Sequence, residues 1–162
     1  MAKSMLGFVL VLGIIVSQGV TASAQRSVVG YWKTGGLGTI NEVNTVTGQT
    51  KNNRGQMFSY KFAADGTYTF VGYMESTMFG CTTSLFNEIN GRYMVDGTTI
   101  FLTPSRDLWK NMYSCFPNSN RSTMKTPAKK SLEFGFKTDQ YGKDFICLND
   151  ADVETCYRRE KE

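Results

Sequence analysis

Histidine is absent from all 162 residues. That removes the commonest general base near neutral pH, and with it every serine–histidine and cysteine–histidine constellation. Proline is scarce, at three residues, so little in the chain forbids extended ladder pairing. No apolar run is long enough for a bilayer: the longest, Met5 to Val16, covers about a dozen residues where a helix needs about 20. The formal charge is only +4 and is evenly spread, which argues against a nucleic-acid binder. The basic clusters Lys125, Lys129, Lys130 and Arg158, Arg159, Lys161 are interrupted by Pro127 and Glu160, and read as solvated loop and terminus. A phosphate loop is missing too, because Gly35-Gly36-Leu37-Gly38 lacks the Gly-Lys-Ser/Thr ending and no helical pattern follows.

What is present begins with an export signal. Lys3, the short apolar run and the small-x-small pattern Thr21-Ala22-Ser23-Ala24 predict a signal peptide over residues 1–24. Residues 25–162 remain as one domain with no membrane span, secreted or periplasmic. Four cysteines, an even number, fit that compartment and two disulfides, with three connectivities open. A zinc site is disfavoured by the missing histidine and the absence of a Cys-x-x-Cys pair. If Asn149 pairs with Glu154 across a turn, Cys147 falls opposite Cys156, within reach of a cross-strand bridge. Cys81 and Cys115 are then left to join two loops.

Aromatic residues, 13% of the chain, fall in alternating runs, the pattern of strands half-buried on a core. Strands are expected over 28–33, 58–62, 67–71, 93–95, 98–103, 132–136, 145–148 and 154–158. Around Asp65-Gly66, a three-residue loop sets Phe62 opposite Tyr68 and Tyr60 opposite Phe70, gathering aromatics on one face. Around Asp96-Gly97, a two-residue loop sets Tyr93 opposite Ile100 and Val95 opposite Thr98. Residues 34–56, 76–84 and 105–126 read as loops, the last with at most a short helix over 106–112. Asn120-Arg121-Ser122 matches a glycosylation acceptor. Asp150, Asp152 and Glu154 resemble a loose calcium loop without its remaining ligands. Sequential hairpins without a βαβ pattern predict an all-β fold: about eight antiparallel strands in an up-and-down β-barrel.

Several segments together resemble the bacterial-type lipocalin-like domains: Gly30-Tyr31-Trp32 on the first strand, Phe62-Ala63-Ala64-Asp65-Gly66-Thr67-Tyr68, Gly91-Arg92-Tyr93-Met94-Val95-Asp96-Gly97 and the Tyr157-Arg158 end. The resemblance implies that Trp32 plugs the closed end of a barrel with the terminal arginine lying across its face. Arg158 is the match to that arginine, although alternation puts Arg159 on the opposite face. It also implies a large loop over the open end, where residues 34–56 fall.

No catalytic residue, cofactor or metal is expected, and the protein is read as a non-enzyme. Candidate ligand-binding residues are Tyr60, Phe62, Tyr68, Phe70, Tyr93, Ile100, Leu102, Phe134 and Phe136, all assigned to the interior face. An eight-stranded barrel can be packed solid by such side chains or hold one small ligand. The expected partner is a small apolar or amphipathic molecule. The alternatives are binding of another secreted protein, such as a hydrolase, through Leu37, Leu108, Trp109 and Phe116 at loop tips, and a structural envelope or matrix role.

Overall fold

The computed structural model describes residues 27–36 and 54–161. They form nine strands: β1 (Gly30–Gly36), β2 (Arg54–Phe62), β3 (Thr67–Met78), β4 (Cys81–Asp96), β5 (Thr99–Tyr113), β6 (Arg121–Met124), β7 (Lys130–Thr138), β8 (Asp144–Asp150) and β9 (Val153–Glu160). The strands make one antiparallel sheet in the order β4-β3-β2-β1-β9-β8-β7-β5-β6. A further pairing of β4 with β5 closes eight of them into a ring and leaves β6 flanking β5. The expected signal segment and residues 37–53 of the first loop lie outside the described residues, while the ends of the expected 34–56 loop are strand, residues 34–36 in β1 and 54–56 in β2.

Alternation explains the ring. Tyr60, Phe62, Tyr68, Ile100, Leu102, Leu132, Ile146, Leu148 and Tyr157 form one core with Trp32, Phe70 packs against it, and their strand neighbours are exposed or half-buried except Ser59 and Cys147. Trp32, Phe62, Ile100, Leu132 and Ile146 are fully buried. Burying such side chains gives roughly 1.5–3 kcal/mol each, the main force holding a sheet of this size closed.

Both disulfides form as expected. Cys147 pairs with Cys156 directly across β8–β9, in the register that sets Asn149 opposite Glu154. Cys81 pairs with Cys115 and prolongs the β4–β5 ladder beyond Thr83 and Tyr113. The β2–β3 register is also as expected, with Phe62 opposite Tyr68 and Tyr60 opposite Phe70.

Three expectations are corrected. At the β4–β5 hairpin Val95 lies opposite Ile100 and Tyr93 opposite Leu102, two residues away from the expected register. The shift brings Gly97, at φ +57°, to the first loop position, where the primed hairpin turns need a positive φ. Because the shift is two residues, Tyr93 keeps its face. Residues 76–84 are not a loop: β3 and β4 run through them and turn tightly at Phe79 and Gly80. Residues 105–126 likewise continue β5 to Tyr113 and add β6, with no helix over 106–112. Thr83 to Asn90 of β4 supply the ladder that holds this half of β5 extended.

Candidate functional site

One end of the ring is sealed around Trp32. Its indole N–H donates to the Val28 carbonyl at 2.7 Å. The Arg159 guanidinium carbon lies 4.5 Å from the ring centroid, and Nη2 donates to the carbonyls of Ser27 (2.9 Å) and Val29 (3.1 Å). The arginine over the indole is therefore Arg159 and not Arg158. Register explains the correction: Trp32 pairs with Arg159, whereas Arg158 faces outward beside Cys156 and donates to Glu160. Gly30 sits at φ +143°, and a Cβ there would lie 3.6 Å from the guanidinium and 3.7 Å from the indole nitrogen. Those are ordinary contact distances, so it is the positive φ, and not a lack of space, that favours glycine in Gly-x-Trp.

Away from that end the wall of the ring is incomplete. β7 pairs with β5 only from Thr99 to Leu102, and β6 takes over only from Leu108. Among the described residues, one backbone hydrogen bond spans the gap, from Lys125 N–H to the Asp107 carbonyl at 2.9 Å. Pro104 and Pro127 border it, and neither has an N–H to offer a ladder. A cavity of about 120 Å³ runs from buried Tyr60, Tyr68 and Leu102 past Phe70, Ile89 and Asp107 to exposed Ala128 and Lys130. A second, of about 210 Å³, lies on the other side of Tyr60 against Leu132, Leu148, Asp150 and Tyr157. Small-molecule sites usually occupy roughly 300–1,000 Å³; each of these spaces is smaller than that, and they share Tyr60 as a common wall.

A bulge determines what the first cavity presents. Gly91 pairs with Pro104 and Asn90 with Arg106, so Ser105 is the extra residue, and its hydroxyl donates to the Asn90 carbonyl. Ile100 and Leu102 are buried and Pro104 half-buried before it; after it Asp107 and Trp109 are half-buried and pair with Ile89 and Asn87, while Leu108 between them is buried. Asp107 thereby shares a face with Ile89. Its Oδ1 accepts from the Asn87 amide at 2.8 Å, and Asn87 is itself buried. Gly91 permits the close approach: a Cβ there would come within 2.4 Å of the Thr103 carbonyl and 2.9 Å of the Tyr68 ring.

The phenols of Tyr60, Tyr68 and Tyr157 line the two cavities and bond to no other described residue; the fully enclosed unpaired side-chain atoms among the described residues are instead Trp109 Nε1 and Asn149 Oδ1. Burial pushes the Tyr60 phenol far above its ordinary pKa, with Tyr157 adding to the shift. Burial, then the Asp107 carboxylate, raises Tyr68 to about 12; burial, then Asp150, does the same for Tyr157. All three are neutral hydroxyls over the physiological range. Tyr93 differs, since its hydroxyl donates to the Ala63 carbonyl at 2.9 Å.

The nine interior candidates divide accordingly. Tyr60, Tyr68, Phe70 and Leu102 line the first cavity. Phe62, Tyr93, Ile100, Phe134 and Phe136 line neither cavity. They pack towards the sealed end, with Phe62 against Tyr93 and Phe136 against Trp32. Asp107 and Tyr157 are additions. Tyr157 was readable as the inward neighbour of Arg159, but Asp107 was hidden by the bulge. Of the expected apolar loop tips, Leu37 lies outside the described residues, Leu108 is buried and Trp109 is partly buried under the Lys125 ammonium, 3.6 Å from its ring. Phe116 is exposed, as is Phe79, near either end of the Cys81–Cys115 bridge.

The acidic cluster is tied by ion pairs to β7: Asp150 to Lys130 and Glu154 to Lys137. Glu154 also lies beside Cys147 and Cys156, but their thiols are spent in a disulfide and cannot ligate a metal. Among the described residues no helix is long and apolar enough to cross a membrane. No family model, curated protein or solved structure matches this chain.

Proposed function

We propose that this is a secreted, lipocalin-like binding protein that holds a small apolar or amphipathic molecule within its ring of strands. The observation that carries the reading is that Tyr60, Tyr68 and Tyr157, whose phenols bond to no other described residue, line the two cavities. A purely structural core would be expected to pair such hydroxyls or use aliphatic residues instead. Aromatic walls with a few polar groups are what small-molecule sites offer. The way in is the gap beside Pro104 and Pro127. Two disulfides suit an oxidising compartment. Native mass spectrometry of the protein from its own source should show a noncovalent small-molecule adduct. Ile89→Trp, which fills the first cavity, should remove that adduct and leave cooperative unfolding in place.

A second reading, protein binding through loops, is favoured by one observation: Phe79 is 99% exposed and Phe116 67%, at a disulfide-tied edge. Protein that arrives free of small molecules but in company with a second chain would replace the first reading with this one.

A further inference from the structure

We infer that the cavity between Tyr60, Tyr68 and Asp107 takes a small organic amine, with the ammonium at the Asp107 carboxylate and the apolar body against Tyr60 and Phe70. This rests on the reading of the interior as a ligand site and names its chemistry. Asp107 Oδ1 is fixed by the buried Asn87 amide. Oδ2 has no hydrogen-bond or ion-pair partner among the described residues, and the carboxylate lines the cavity. A carboxylate held in place beside an apolar space favours a cation there, because a charge-assisted hydrogen bond is roughly twice as strong as a neutral one. The aromatic walls add attraction for an ammonium.

The nearby cations are already committed. Lys130, at the mouth, is paired with Asp150, Lys125 lies over Trp109, and Arg106 faces out to Glu88 at 2.7 Å. The Tyr68 phenol stands near Asp107 without bonding to it, so it is free to accept from the same ammonium or to donate to a second polar group of the ligand.

Three probes of one shape test this by calorimetry on the purified, disulfide-intact protein: phenethylamine, 2-phenylethanol and phenylacetate. Phenethylamine should bind about tenfold or more tighter than 2-phenylethanol, and phenylacetate should bind more weakly than either. Asp107→Asn keeps an oxygen for the Asn87 amide and should bring amine and alcohol to within about threefold of each other. If that variant fails to fold, the wild-type ranking still decides, and Tyr68→Phe should weaken amine binding severalfold. Equal affinity for amine and alcohol overturns the amine assignment while leaving a ligand site. Tighter binding of phenylacetate overturns it in favour of Lys130 and Lys125 as the recognising groups. No binding of any probe also overturns it, and the adduct seen or not seen by mass spectrometry then judges the ligand site separately.

Discussion

Replacing Tyr60 by phenylalanine should make the protein more stable, which is an unusual expectation for a residue at the centre of a core. The ring of Tyr60 stacks on Phe62 at 5.4 Å, tilts onto Phe70 at 4.8 Å and meets Tyr157 edge-on at 5.4 Å. Phenylalanine keeps all three contacts, so the substitution isolates the hydroxyl. That hydroxyl bonds to no other described residue, and it opens on the cavities rather than being fully enclosed, although the residue is only 7% exposed. In mutants, leaving a buried hydroxyl unpaired costs about 1–3 kcal/mol. Removing it should recover about 1 kcal/mol, at the low end because the cavity reaches the surface. Tyr93→Phe is the matched control. It deletes a hydrogen bond to the Ala63 carbonyl and should lose about 0.5–1.5 kcal/mol. The assay is denaturant unfolding with disulfides intact, comparing midpoints at unchanged m-value. Opposite signs for the two variants confirm the reasoning. A Tyr60→Phe loss as large as that of Tyr93→Phe refutes it, because the phenol would then have a protein partner.

Other perturbations separate neighbouring residues. Arg159→Ala should cost about 1–3 kcal/mol, since it loses the indole contact and two bonds to the 27–29 backbone, whereas Arg158→Ala should stay within about 0.5 kcal/mol; thermal melts of the pair decide. Gly91→Ala should prevent folding or lower the melting temperature severely, as a Cβ 2.4 Å from the Thr103 carbonyl can be relieved only by moving backbone; a near-wild-type melt would contradict the bulge. Breaking Cys81–Cys115 should cost up to about 4 kcal/mol by chain entropy and breaking Cys147–Cys156 up to about 2.5, readable as shifts in unfolding midpoint. Alkaline stability should be full below the phenol's unfolded pKa of about 10 and fall as pH rises towards 12. The folded state holds the Tyr68 and Tyr157 protons to about 12, and Tyr60 longer, while the unfolded chain releases them. Tyrosinate absorbance should therefore show a late group that appears together with loss of structure.

Much of the fold was legible because alternation is a local signal. Phe58, Tyr60 and Phe62 against Tyr68 and Phe70 admit one register that gathers the rings, and that register is the one found. The Cys147–Cys156 pairing followed from the same reasoning about a turn. Failures came where tertiary pairing outweighed local composition. Residues 76–84 are rich in serine and threonine, the usual composition of loops, and 105–113 show no clean alternation, with Ser105, Arg106 and Asp107 ahead of Leu108 and Trp109. They are extended because long β3 and β4 offer each other and β5 a continuous ladder. Phe79 at φ +50° shows how little local preference governs that turn, since bulky residues seldom adopt positive φ. The choice between Arg158 and Arg159 could have been made from parity alone, because Arg159 shares its face with Tyr157, which lies in the core.

The candidate site was less legible, for a reason specific to β5. Strict alternation from Ile100 would keep even positions inward and place Leu108, an apolar residue, in the interior, with Asp107 in solvent. One unpaired residue, Ser105, changes the parity: Asp107 comes to share a face with Ile89 and to line the cavity, half-buried, while Leu108 is buried outside the main core. The extra residue is accommodated opposite Gly91, where any side chain would collide with the Thr103 carbonyl, Pro104 and Tyr68. Beside it Pro104 withholds the N–H that β7 would need to continue its ladder. The same three positions thus turn a carboxylate inward and leave a gap in the wall next to it. Deleting Ser105 should restore alternation and return Asp107 to solvent. The protein should still fold, since Leu108 would exchange one buried site for another, but probe binding should fall at least as far as in Asp107→Asn. A deletion variant that keeps full selectivity for phenethylamine over 2-phenylethanol would mean that the bulge does not place the recognising carboxylate.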